Sequence, residues 1–203
     1  MNGDKEQLMG APSVARPEPT TDEGKSEVDG RILRAIGSGD LRSATALCAR
    51  HYGASLGRLC MAMVSSQAEA DDLVQETLLA AHDGFSSFRG EGTVAAWLFG
   101  IARRKCARHV ERRGRHEARL RLVHDADRQP PTDELCARRE RAERARAALN
   151  EVRPSEREAL LLRYVAELSY QEVGEACGVD EPAARKRVSR ALSNLRSILV
   201  NKE

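Results

Sequence analysis

An all-α fold of two small helical domains joined by a flexible linker, the second domain containing a helix-turn-helix, is predicted by three observations. Apolar residues recur at spacings of three and four in segment after segment, while no strand-like alternation of Val, Ile, Thr or aromatics occurs. The pattern fails between 114 and 131, where GRHEARLRLVHDADRQPP ends in a Pro pair that disfavours helix before it. Finally, 203 residues of which 41% are hydrophobic and only seven aromatic can build small cores, not one large one.

Residues 1–27 mix Pro, Gly, Ser, Thr and charge without apolar period, and cannot repay the entropy of ordering; they are expected to form a disordered acidic tail. From Val28 an apolar period runs through Ile32, Leu33 and Ile36, pauses at Gly37-Ser38-Gly39-Asp40, and resumes through Leu41, Ala44, Leu47 and Cys48. Further helices are expected at about 54–65, 69–82 and 93–113, which completes a first domain over 28–113. After the 114–131 linker, Thr132 offers a cap, and helical patterns cover 133–150, 154–166, 169–177 and 181–199 in a second domain over 132–200.

The second domain carries the more specific signal. Ser169 and Glu172 have capping-box spacing, Val173 and Ala176 face inward, and Gly178 supplies a tight turn. Asp180 caps the next helix and Pro182 sits in its first turn, where a missing N–H costs nothing. Along that helix Ala184, Val188, Ala191, Leu192, Leu195 and Leu199 form a buried stripe. The opposite side carries Arg185, Lys186, Arg187, Ser189, Arg190 and Asn194. Such a face suits the major groove, where Arg reads guanine bidentately and Asn reads adenine. In the first domain, the helix at 69–82 turns Asp72, Gln75 and Glu76 outward, a face fit for protein rather than DNA.

The blocks DLVQET, FRGEG, AWL and GIAR, followed by LNEVRPSEREALLLRY, LSYQEVGEACGV and SRAL, make the chain resemble the extracytoplasmic-function group of bacterial RNA polymerase sigma factors from about Leu41 to Leu199. The resemblance implies a first domain that binds the polymerase clamp and melts the minus-ten element, and a second that reads the minus-thirty-five element. It assigns Asp72, Gln75 and Glu76 to the face docked on core RNA polymerase. It assigns the loop Phe88-Arg89-Gly90-Glu91-Gly92 to receipt of an unstacked base of the promoter DNA, whose unstacking costs only a few kcal/mol. Arg187 and Arg190 match basic positions of the family's recognition helix, and Arg185 stands where the family often has Lys or Arg. It further implies that an anti-sigma factor clamped against both domains can hold such a protein inactive.

Four aromatic residues, Phe85, Phe88, Trp97 and Phe99, cluster around that loop in the sequence. Trp97 shares a helical period with Val94, Leu98, Ile101 and Ala102 and is expected to anchor the core, which leaves Phe88 as the stacking residue. The run Arg103, Arg104, Lys105, Arg108, Arg112, Arg113 and Arg115 is opposed only by Glu111, so it can release phosphate counterions. Phe88, Arg89, Arg103, Arg104 and Arg108 are therefore the expected minus-ten contacts. The family commonly has Asn at position 104 and Asp at 108, and arginine at both departs from its pattern.

Net charge is only +2, yet it is segregated. Residues 1–30 hold seven acids against three bases, a net of minus four, and residues 103–121 hold nine bases against two acids, a net of plus seven. The basic part predicts an anionic partner. No apolar run approaches the roughly 20 residues of a membrane span, and five widely spaced cysteines without a CxxC pair fit a reducing cytoplasm.

Three other readings compete. Cys48 with His51 and Cys106 with His109, each at i, i+3, supply four metal ligands if their helices pack with those faces together; otherwise no metal and no cofactor is expected. An enzyme is disfavoured because no glycine-rich phosphate loop, HExxH or GxSxG occurs, and His82, His116 and His124 are expected to face solvent. A helix-turn-helix regulator that binds DNA without recruiting polymerase is the main alternative. It predicts specific DNA binding by the isolated protein, whereas a sigma factor needs core polymerase.

Overall fold

The structure, a computed structural model, describes residues 22–120 and 143–200, and side chains over 27–115 and 143–200. These residues form α1 (Asp22–Gly37), α2 (Leu41–Val64), α3 (Gln67–Gly84), a 3-10 turn at Phe85–Ser87, α4 (Val94–Leu120), α5 (143–151), α6 (Pro154–Tyr164), α7 (Tyr170–Cys177) and α8 (Glu181–Val200). No strand occurs among the described residues. The expected 114–131 linker lies outside them beyond Leu120, as does the tail before Asp22.

Helices α1–α4 pack as one bundle, and α6–α8 as a second. In the first, α2 is the central member. Its buried residues Ala44, Cys48, Tyr52, Leu56, Leu59, Cys60 and Val64 repeat every three or four positions without a phase break. That continuity corrects the expected interruption near 51–53: Gly53 lies in open space inside one uninterrupted helix. Asp40 caps its start by accepting from Ser43 N at 3.0 Å. At its end Ser65 adopts a left-handed φ of 64°, and Ser66 caps α3 in the extended region, so two residues reverse the chain.

Two further boundaries differ from expectation. Helix α1 begins at Asp22, six residues ahead of Val28, because adding a turn to a helix already packed through Ile32 is far cheaper than nucleating one. Helix α4 runs to Leu120 rather than 113. In α8, Ala184, Val188 and Ala191 are buried as predicted, but Leu199 is 48% exposed because the last turns run past the body of the domain.

One contact sets the geometry of the first bundle. The Asp29 carboxylate of α1 accepts from Tyr52 Oη of α2 at 2.7 Å and from Val94 N, the first residue of α4, at 3.0 Å. Burial and the Asp29 hydrogen bond push the Tyr52 phenol well above its ordinary value, so it stays a neutral donor. Phe99 meets Tyr52 edge-on, with ring centroids 6.3 Å apart.

The two bundles touch. Helix α7 packs on α4, α6 touches α2, and one apolar cluster is continuous from Ile32 to Ala191 through both. Asp29→Ala is expected to destabilise the protein by about 1–3 kcal/mol in urea denaturation, because it strands a buried hydroxyl and a helix-terminal N–H; Asn should recover part of the loss.

Candidate nucleic-acid interface

The loop before α4 is shaped by its glycines. Gly90 and Gly92 both take left-handed φ values, 73° and 84°, which side chains rarely adopt. Arg89 projects to solvent beside them. Thr93 closes the loop: its hydroxyl accepts from Ala96 N at 3.0 Å, capping α4 while Asp29 holds Val94 N.

Phe88 is less free than expected. It is half-buried, its ring centroid 4.9 Å from that of Trp97, and Trp97 also packs 5.5 Å from Phe85. Trp97 is itself only half-buried, closing the rim of the core, whereas Phe85 and Phe99 fill its interior. The three rings form an assembled aromatic cluster beside the loop, with Arg89 exposed next to Phe88.

The basic run of α4 divides in two. Arg104 and Arg108 are exposed, one turn apart. Partial burial together with the adjacent Arg103 and Arg108 charges lowers the Arg104 pKa, so positive charge is crowded here and a phosphate would relieve it. Arg103 points the other way. Its Nη1 donates to Glu158 Oε2 of α6 at 2.7 Å and its Nε to the Ala176 carbonyl of α7 at 3.2 Å. The second bundle therefore occupies one of the expected minus-ten residues.

The same face of the second bundle covers the loop. Thr93 N donates to Glu175 Oε2 at 3.3 Å, and Thr93 Oγ1 to Glu172 Oε1 at 3.1 Å. A Cβ at Gly92 would lie 2.4 Å from Glu175 Oε2, and one at Gly100 would lie 3.3 Å from the Ala176 carbonyl. Gly100 thus lets the backbone of α7 approach α4 closely, while Gly92 meets only the movable end of the Glu175 side chain.

The helix-turn-helix forms as its sequence specifies. Ser169 and Glu172 complete a reciprocal capping box, Gly178 turns the chain at φ 68°, and Asp180 accepts from Ala183 N at 2.8 Å to cap α8. Gly174, inside α7, admits Val179 O to within 2.7 Å of where a Cβ would stand, so the turn folds back tightly on α7. On α8, Arg185, Lys186, Ser189 and Arg190 are exposed. Arg187 is half-buried, its charge close to the Cys177 thiol, while Asn194, itself exposed, donates its Nδ2 to the buried Glu156 Oε2 at 3.1 Å. Of the six polar residues that the sequence puts on this side, five are exposed, and Asn194 among them is already engaged by Glu156.

On α3, Asp72, Gln75 and Glu76 are all exposed, and Lys105 reaches Glu76 Oε2 at 3.2 Å. Leu79, not singled out in the sequence, continues this face and is 65% exposed. Its signal was phase: it falls three and four residues after Glu76 and Gln75, off the buried stripe.

The cysteines do not gather for a metal. Cys48 lies in the main core, whereas Cys106 donates to Cys60 Sγ at 3.6 Å in a separate cluster with Val64, Ala70 and Leu73, and His109 Nε2 approaches Glu69 Oε1 at 3.3 Å. Among the described residues no three metal-ligating side chains converge. His82, expected in solvent, instead shares a 3.0 Å hydrogen bond with Thr45 between α3 and α2. Burial pushes the Cys48 thiol up to about 12, and its hydrogen bond to Cys60 together with burial raises that of Cys106. Because all three thiols are fully buried, thiol titration of the native protein at pH 8 is expected to leave Cys48, Cys60 and Cys106 unmodified, even though the Cys106 hydrogen bond lowers the Cys60 pKa, with all three reacting once urea unfolds the chain. Rapid native labelling of any of them, mapped by mass spectrometry, would contradict this packing.

Residues 48–116 match the family model Sigma-70 region 2, and residues 142–195 match Sigma-70, region 4. The ECF RNA polymerase sigma factor EcfG of Rhodopseudomonas palustris is 34% identical over 149 residues, covering 71% of this chain and 79% of that protein. SigG of Mycobacterium tuberculosis is 32% identical over 166 residues but the chain spans only 44% of its length. SigM of the same organism is 28% identical, with 84% of each chain covered. Among solved structures, CnrH in complex with the cytosolic domain of CnrY shares the fold at a TM-score of 0.65 and 21% identity, covering 87% of this chain and 99% of that one. The sigma factor RpoE of Bartonella quintana, in complex with the anti-sigma factor NepR, does so at 0.53 and 24%, covering 88% and 98%. No helix among the described residues is long and apolar enough to cross a membrane. The two matched regions fall one on each bundle, in the order in which the chain folds them, and the protein belongs to the extracytoplasmic-function group of RNA polymerase sigma factors.

Proposed function

We propose that this chain binds core RNA polymerase through the Asp72, Gln75, Glu76 and Leu79 face of α3 and directs initiation at promoters that its two bundles read. The observation that carries this reading is the doubly capped helix-turn-helix with Arg185, Lys186, Ser189 and Arg190 exposed on its second helix. That helix is assigned the minus-thirty-five element, where guanidinium groups meet base edges in the major groove. The Gly90–Gly92 loop, the aromatic platform beneath Phe88, and Arg89, Arg104 and Arg108 are assigned the melted minus-ten strand. The first domain is taken as 28–113 and the second as 132–200. The protein contributes recognition and strand separation, with no catalytic chemistry or cofactor of its own, in the bacterial cytoplasm where the polymerase works. An anti-sigma protein is the expected regulator, by analogy with the Bartonella complex.

This function requires the bundles to part. Elements centred about 25 base pairs apart lie about 85 Å apart along a duplex, whereas α4 and α7 are in direct contact here. Opening releases Arg103 from Glu158 and the loop from Glu172 and Glu175, so the charges facing promoter DNA increase as the bundles separate. Glu158→Ala is expected to raise promoter binding by the holoenzyme about 3- to 10-fold at limiting sigma, since removing one partner of a half-buried pair weakens the closed state. The measurement is filter binding or footprinting across a sigma titration, and unchanged occupancy would count against a closed resting state.

Reconstituted transcription with bacterial core enzyme tests the function itself. Initiation at defined promoters, with Arg190→Ala weakening use of the minus-thirty-five element by about 1–3 kcal/mol and leaving core binding intact, is the expected result. A protein that ignores core polymerase and binds duplex DNA specifically by itself is instead a helix-turn-helix regulator.

A further inference from the structure

We infer that Tyr170 is a positioning residue for promoter readout, its ring holding the guanidinium of Arg185 ready for the base it contacts. The inference rests on the reading of α8 as the DNA-reading helix. Tyr170 is the first residue of α7, and Arg185 lies in the second turn of α8, in the N-terminal part of a recognition helix that enters the groove. Arg185 Cζ stands 4.3 Å from the centroid of the Tyr170 ring, and its Nη2 pairs with Glu181 one turn earlier. Arg163 Cζ lies 5.0 Å from the same centroid and is tethered in turn, its Nη1 donating to the Leu168 carbonyl at 2.8 Å. The ring is thus fixed by α6, by the connection into α7, and by its place at the capped start of that helix.

An exposed arginine samples many rotamers and must give them up to form two parallel hydrogen bonds to a base. A ring face that attracts the planar guanidinium and a carboxylate that engages one of its edges remove part of that freedom before DNA arrives. Arg185 keeps most of its side chain in solvent, 59% exposed, so confinement does not hide it. The stack thereby joins the first helix of the motif to the side-chain geometry of the second, a role separate from the packing that any apolar residue could supply at position 170.

The test uses the full chain with core polymerase and a promoter set in which the minus-thirty-five element is varied base by base. The quantity is the ratio of initiation at the best element to that at a scrambled one. It compares promoters within one preparation, so it is insensitive to the fraction of sigma that is folded. Y170L is expected to lower the ratio about 2- to 5-fold, the range that a cation–π contact supports, at the same base position that R185A affects. Y170F should stay within about 2-fold of the parent, and Y170L with R185A should be no worse than R185A alone. The inference is overturned if Y170F and Y170L are equally impaired, if Y170L and R185A add, or if Y170L changes nothing. Should R190A lower the ratio while Y170L does not, only the positioning role fails. If R185A, K186A and R190A all leave the ratio intact, the assignment of α8 fails with it.

Discussion

The Asp29 carboxylate is where three helices are tied at one point. It receives the Tyr52 hydroxyl from α2 and the first free N–H of α4, so the start of α4 is fixed by a residue 65 positions away as well as by the adjacent Thr93. An α-helix leaves its first N–H groups unsatisfied, and here the remedy is tertiary, which couples the angle of α4 to the seating of α1 on α2. Every element assigned above to the minus-ten strand follows from that anchored end. The glycine loop arrives at it, Trp97 stands one turn along with Phe88 against it, and the arginines follow in the third and fourth turns.

Helix α7 plays the corresponding part in the second bundle, and it does so for both bundles at once. Internally it is set by the capping box and by the close approach of Val179 to Gly174, which place α8 across it. Externally its acidic side chains Glu172 and Glu175 meet the α4 entry, while Gly100 accommodates its backbone. Glu172 serves in both roles, holding the Ser169 N–H through one carboxylate oxygen and the Thr93 hydroxyl through the other. Local helix capping and long-range docking therefore share a single side chain.

Much of this was legible in the sequence because it is local. The capping box, the αL glycines at 90, 92 and 178, the Asp180 cap and the buried stripe of α8 each follow from residue type at short spacing. What was not legible depended on partners distant in sequence. The continuity of α2 past Gly53 is enforced by neighbours that its buried stripe must meet, and the extension of α4 to Leu120 needed no signal beyond an unbroken chain of helix-tolerant residues. Arg103 and Asn194 read as free polar groups of an exposed face, yet each is engaged by Glu158 or Glu156 from another helix. A helical wheel reports direction, and it does not report who stands there. The paired Cys-x-x-His spacings failed for the same reason, since Cys106 found Cys60 rather than the other pair.

The contact between Arg103 and Glu158 has a consequence for affinity that no single bundle would show. If promoter DNA is bound only by the open chain, its apparent dissociation constant is the intrinsic one divided by the open fraction, so a chain open about 1% of the time binds about 100-fold more weakly than its surfaces allow. By the reciprocity of linkage, whatever raises that fraction, core polymerase first of all, strengthens DNA binding by the same factor without touching a base. On the proposed reading, specificity and control are then separable quantities in one small protein: the first belongs to the surfaces that meet DNA, and the second to the fraction of chains in which the two bundles have parted.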